Sequence, residues 1–137
     1  MQIYITKIKP LHGTNYSEVA PEARMIYKRI SSKTKRRPYV RSKYFDNEKV
    51  FLDYFWSHIM SKNPRDRTRR LRQYPCAIDL IIHTHLDPIS KQHPEKYSEI
   101  LHRFKGRNGN GEIFFVQIKE VKKNDEKSFM SVSPEMD

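Results

Sequence analysis

The feature that most restricts the fold lies in the last third of the chain, where runs of alternating side chains flank one turn rich in Gly and Asn. Residues 100–105 lead through Gly106-Arg107-Asn108-Gly109-Asn110-Gly111 into residues 112–121, and residues 122–127 turn the chain into residues 128–133. That spacing predicts a three-stranded antiparallel meander. A two-residue turn at Asn110-Gly111 sets His102 directly opposite Lys119, and either Asn-Gly choice keeps His102 on the face of Phe115, Gln117 and Lys119. A second loop of odd length pairs Met130 and Val132 with Phe114, Val116 and Ile118, and places Phe129, Ser131 and Ser133 beside Lys119. One face then forms the floor of a core, and the other gathers His102, Gln117, Lys119 and Ser131.

The segments before the meander carry helical patterns. Residues 2–9 suit a short strand ended by Pro10, and residues 17–30 a helix with Val19, Ala23, Ile26, Tyr27 and Ile30 on one side and Pro21 in its first turn. Residues 28–43 are basic and polar without an apolar period and read as a linker or arm. Residues 46–61 have the strongest helical pattern, with Asp46 as cap and Phe51, Leu52, Phe55, Trp56 and Ile59 as an apolar stripe. Asn63-Pro64 starts a further helix reaching about Tyr74. The apolar residues 76–82 fit a buried helix or a strand, and we favour the helix. Asp87-Pro88 and His93-Pro94 mark an irregular stretch. The fold class is therefore α+β, with N-terminal and central helices followed by a small antiparallel sheet. Residues 1–45 read as a basic, partly irregular arm and residues 46–137 as a single domain.

Charge is distributed as unevenly as pattern. The 137 residues carry 27 Lys and Arg against 16 Asp and Glu, a net +11; residues 1–75 alone hold eighteen against six. A one-sided basic field serves a polyanion, because neutralising phosphates releases counterions. A membrane surface is the weaker alternative, since Leu71 is the only apolar anchor in the densest basic window, and no apolar run is long enough to span a bilayer. The lone Cys76 cannot form an internal disulfide, and no charged-then-apolar leader follows Met1, so the chain reads as cytoplasmic or as cargo of a signal not visible here.

Three clusters compete for function. His83, His85 and Asp87 look like part of a metallo-β-lactamase zinc signature, but Pro88 stands where its last His belongs, and zinc is disfavoured, as is any other cofactor. On the polar sheet face, His102 is suited to proton transfer, Lys119 to a developing phosphorane, and Gln117 and Ser131 to donating hydrogen bonds; together they match metal-independent RNA cleavage. A solvated Lys119 and a His102 that merely packs are the plain alternative. The helix after Asn63 carries Arg65, Arg67, Arg69, Arg70 and Arg72, which, with the helix N-terminus, suit phosphates of RNA or another nucleic acid.

Further motifs carry a resemblance. Phe51-Leu52-Asp53-Tyr54-Phe55-Trp56, Asp66-Arg67 with Arg69-Arg70-Leu71, Tyr74-Pro75-Cys76-Ala77-Ile78-Asp79-Leu80, Leu101-His102-Arg103-Phe104, Val116-Gln117-Ile118-Lys119-Glu120 and Phe129-Met130-Ser131-Val132 resemble a group of small, mostly uncharacterised proteins of bacterial mobile elements. The His-bearing, Gln-x-Lys and Ser-Val strands are also similar to the ribonuclease superfamily of barnase, EndoU, colicin nuclease domains and RelE-like toxins. That resemblance implies helices followed by an antiparallel sheet and a metal-independent endoribonuclease leaving 2′,3′-cyclic phosphate. It also implies a toxin-like role with an antitoxin or immunity protein as partner. His102 is then the acid/base, Lys119 and Ser131 act on the phosphate, and Arg103 or Arg67 supplies the second activity group. Ser133-Pro134 departs from the aromatic residue expected there. A nucleic-acid-binding accessory protein of a mobile element, in which nothing is cut, is the alternative.

Overall fold

In the computed structural model, which describes residues 2–135, the chain is α+β. Strand β1 (Ile3–Ile5) precedes helix α1 (Tyr16–Ser31), and the hairpin β2 (Tyr39–Ser42) and β3 (Glu48–Phe51) leads into helices α2 (Asp53–Ile59), α3 (Pro64–Arg72) and α4 (Tyr74–His83). Strands β4 (Ile89–Gln92), β5 (Glu99–Arg107), β6 (Ile113–Val121) and β7 (Glu126–Pro134) follow. The sheet is curled, mixed and seven-stranded, in the order β1-β5-β6-β7-β3-β2, with β4 sharing the outer edge of β5 with β1. It is larger than the small antiparallel sheet expected, because β1 joins β5 and β3 joins β7 in parallel.

The helices form where their ends are provided for. Asn15 and Asn63 each cap a helix through a side chain that accepts an amide, from Glu18 and Asp66 respectively, and Pro64 occupies the first turn of α3. Pro21 lies inside α1, deeper than the first turn. Helix α4 is apolar nearly all round, with Tyr74, Cys76, Ala77, Leu80 and Ile81 buried, so it packs inside the curl against β2, β6, α1 and α3. Phe55 stacks on Phe129 with ring centroids 4.6 Å apart, which fixes α2 against β7. Gly106 lets Phe114 and Leu80 approach, since a Cβ there would lie 2.5 Å from Phe114.

Several expectations need correction. Residues 46–61 are not one helix: residues 48–51 form β3, and Asp46 and Asn47 take positive φ values of 56° and 64° in the hairpin turn instead of capping a helix. The apolar stripe was real only from Leu52 onward; Val50, fully buried, answers to its strand partner Val40. The strand expected in residues 2–9 and the helix expected in residues 17–30 form as β1 and α1, but the segment read as an arm also supplies β2, and Val19, Ala23 and Val40 lie in the core. The stretch between Asp87 and Pro94 holds β4.

The meander itself forms, but with a different register. His102 pairs with Ile118, and Leu101 with Lys119. The connection is the five residues Asn108 to Glu112, not a two-residue turn, because the Asn108 carboxamide accepts the amides of Asn110 and Glu112, each at 3.0 Å. Its own amide donates to Gln73 at the α3–α4 junction at 3.0 Å, tying the loop to the helices. The second loop is even, Lys122 to Asp125, and a bulge between Gln117 and Ile118 in the pairing then shifts the register. Met130 is the extra residue. The bulge lets Phe129 face the core beside Ile118 and Val132 face it beside Val116, so Phe129 does not join the polar face.

Candidate nucleic-acid interface

A one-residue change of register exchanges the faces of a strand, and it removes His102 from the polar face. Its ring lies on the helix-covered side, 8 % exposed and edge-on to Phe45. Its Nδ1 and the Ser90 hydroxyl are 2.7 Å apart, and its Nε2 lies 2.7 Å from Glu120 Oε1. Lys127 stands 3.8 Å from Glu120 and donates to Glu48 at 3.0 Å, extending the network to β3. His102 therefore ties β4, β5 and β6 together and does not meet Lys119.

The opposite face is open. The central strands β5, β6 and β7 form its floor, α2 and α3 flank it beside β7, and β4 flanks it beside β5. A cavity of about 620 Å³ is lined there by Arg103, Gln117 and Ser131, with His58 from the end of α2, Lys62 from the turn that follows it and Lys91 from β4. Arg70 reaches the same cavity and adjoins a second concavity of about 970 Å³, which Arg65, Asp66, Arg69, Arg103 and Phe115 also line. Arg103 lies 4.1 Å above the Phe115 ring, so its guanidinium is held over the floor while remaining exposed. Three expected residues, Arg103, Gln117 and Ser131, are thus brought together. Lys119 lies beside them, its Nζ 4.2 Å from the Tyr54 ring and 4.0 Å from Glu99.

The arginine row divides. Arg67 donates to the carbonyls of Met60 and Lys62, leaves its buried Nε without a partner, and lies over Tyr16; Arg72 donates to the Leu11 carbonyl. These two hold backbone segments together. Arg69 and Arg70 clamp Asp66 at 2.9 Å each, and Arg70 also donates to the Val132 carbonyl. Burial opposes ionisation of Asp66, but those two guanidinium bonds outweigh it and hold its carboxyl below the usual value. Arg65 is the exposed member of the row.

His58 was not singled out by the sequence. It follows Tyr54 by one helical turn, opposite the Phe55, Trp56 and Ile59 stripe, and the two rings stack at 5.7 Å. A polar i, i+4 pair on the unburied side of an amphipathic helix was the available signal. Burial, then the charges of Lys62 and Arg70, lower its pKa from the ordinary histidine value, so the imidazole is neutral near pH 7. His83 is 3.7 Å from Asp79, and among the described residues no group of three His, Cys, Asp or Glu side chains is placed to hold a metal ion. Cys76 is buried and its thiol pKa pushed up to about 12, first by desolvation, which makes it a poor nucleophile. Among the described residues no helix is long and apolar enough to cross a membrane.

Compared with protein-family models, with curated proteins and with solved structures, the chain matches none.

Proposed function

We propose that the open sheet face binds RNA and cleaves it without a metal ion. The observation that carries this reading is the composition of the cavity: it contains one imidazole, His58, among Lys62, Arg70, Lys91 and Arg103, with Gln117 and Ser131 on its floor and no carboxylate in its lining. Such a surface attracts a phosphodiester and offers hydrogen bonds to its non-bridging oxygens. In the reaction, neutral His58 takes the proton of the ribose 2′-hydroxyl, the 2′-oxygen bonds to phosphorus, and the bond to the 5′-oxygen breaks. Arg103 and Arg70 offset the charge that develops on the phosphorane. The 5′-oxygen leaves with a proton from water entering at the open side, and the proton on His58 returns to solvent.

This assignment transfers the acid/base role from His102 to His58, keeps Gln117 and Ser131 as phosphate ligands, gives Arg103 that role in place of the second activity group, and leaves Lys119 at the margin. The barnase, EndoU, colicin and RelE-like resemblance supports the reading in that it implies helices preceding a sheet that carries phosphate-binding groups, while its acid/base on a strand is here replaced by His58 on α2. An antitoxin or immunity protein, if the chain has one, would cover this groove with acidic surface. The accessory-protein reading is favoured by a different observation: with His102 turned away, the groove holds a single histidine.

Incubating the purified protein with end-labelled RNA in EDTA tests the proposal. Cleavage that persists, with 5′ fragments ending in 2′,3′-cyclic phosphate, is the expected result. Activity lost to chelator and restored by zinc would overturn it. Binding with no cutting of any RNA would leave the accessory protein.

A further inference from the structure

A further basic concavity, apart from the two beside the sheet face, lies toward the other end of α2. It measures about 750 Å³ and is lined by Lys33, Lys35, Arg36, Arg37, Tyr39 and Lys49, among others. Lys33, Lys35, Arg36 and Lys49 are exposed. Their surroundings are built around aromatic rings: Tyr39 and Phe51 meet edge to face at 6.3 Å, Lys49 Nζ lies 4.7 Å from the Tyr39 ring, and the Arg37 guanidinium lies 4.0 Å from Phe51. Arg37 is committed elsewhere, forming paired bonds to Asp53 at 3.0 Å and one to Glu126 at 2.8 Å. It thereby offsets part of the negative charge of Asp53 and Glu126.

The position of α2 links this patch to the groove. Asp53, gripped by Arg37, opens the helix, and His58, in the groove, lies near its end; at 1.5 Å per residue they are about 7.5 Å apart along the axis. Between them stands Tyr54, with His58 stacked on it and Lys119 over its ring. Glu99, the acid beside that point, is approached by Lys119. A basic and aromatic path therefore runs from Arg103 past His58 and Tyr54 to Tyr39. The rings along it are half-buried, and cations alternating with partly accessible rings suit a single strand of nucleic acid, with phosphates on the cations and bases against the rings.

We propose that the concavity around Tyr39, Lys35, Arg36 and Lys49 is a second subsite for single-stranded RNA, holding the flank of a strand whose reacting phosphodiester lies in the His58 groove. The proposal rests on the groove reading and names its substrate class: unpaired RNA long enough to occupy both sites. The two contacts act through one strand, so the second raises affinity only when the oligomer spans both.

The test uses non-cleavable 2′-O-methyl single strands of about four and about twelve nucleotides, within the range of single-strand site sizes. They are titrated against wild type and a Lys35→Gln, Arg36→Gln, Lys49→Gln variant over a series of salt concentrations. Wild type should bind the longer strand more tightly. The variant should lose that gain, with a salt slope smaller by about 2, at roughly 0.7 per lost contact, while binding the short strand as wild type does. Equal binding of the long strand by both proteins at every salt concentration overturns the second subsite and leaves the groove reading intact. A wild type that binds neither strand overturns both. Thermal melting of the variant, whose three altered side chains are exposed, confirms that a loss is not unfolding.

Discussion

His102 and Arg103 are neighbours on one strand and belong to opposite sides of the molecule. On the covered side, His102 is enclosed by Phe45, Ser90 and Glu120, and every polar atom of its ring is used in holding strands together. On the open side, Arg103 lies exposed over Phe115, facing a cavity that has an imidazole and further cations in its walls. Two side chains that each look catalytic in sequence are thus separated by strand pleating into one that serves stability and one free to meet a ligand. A titratable group acquires a role from the face it occupies, and the following outcomes discriminate between the faces.

The largest effect expected is on the rate. His58→Ala should lower single-turnover RNA cleavage by about 10²- to 10⁴-fold, as for loss of a general base, while RNA binding and folding remain. Phe129→Ala, on the covered face, should cost about 3–5 kcal/mol in urea unfolding, because it leaves a cavity against Phe55. His102→Ala should also act on stability, at about 1–3 kcal/mol, since Glu120 loses the imidazole that approaches it. Its cleavage rate per folded molecule should match wild type. A normally folded His102→Ala protein that is inactive would exchange the roles of the two faces.

The fold was legible where local chemistry settles structure. Asn63-Pro64 and the α3 that follows, the apolar α4, and the existence of three antiparallel strands could all be read from caps, turns and period. Register could not. The Asn108 side chain closes a longer loop than the Asn-Gly dipeptides alone predict, and it does so with help from Gln73, a residue 35 positions away. The bulge at Met130 likewise depends on packing Phe129 and Val132 into one core, which no local pattern states. Strand β3 was hidden because residues 48–51 continue an apparent helical stripe, and their partner β2 lies in a basic segment with little apolar signal. For the site, Gln117 and Ser131 were found because they share the polar face in the predicted register as well as in the observed one; Arg103, named only through the resemblance, joins them because the observed register pairs it with Gln117, which the predicted one did not. His58 was missed because its role depends on where α2 docks.

Smaller effects sharpen the contrast within the arginine row. Arg103→Gln and Lys62→Gln should each reduce the salt slope for single-stranded RNA by about 0.7 and leave stability within about 0.5 kcal/mol. Arg67→Gln should destabilise instead, because it removes donors from the Met60 and Lys62 carbonyls. The pH profile is the subtlest readout. The groups facing His58 are Lys62 in the α2–α3 turn, Arg70 on α3, Lys91 and Arg103 across the cavity, and Lys119 beyond Tyr54. Burial, then Lys62 and Arg70, favour the neutral imidazole, so cleavage should be fully present above the ordinary histidine value of about 6.5 and decline as pH falls through a lower pKa. Replacing both Lys62 and Arg70 with Gln should move that decline upward, toward the ordinary value.

The central claim is that nucleic acid occupies the open face. Amide chemical shifts of the isotope-labelled protein, followed as a 2′-O-methyl RNA strand is added, report on that directly. The account predicts that the largest changes fall on Arg103, Gln117 and Ser131 and on the end of α2 at His58, with His102, Phe104 and the α4 residues nearly unmoved. Changes centred on Ser90, His102 and Glu120, with the groove residues silent, would contradict it.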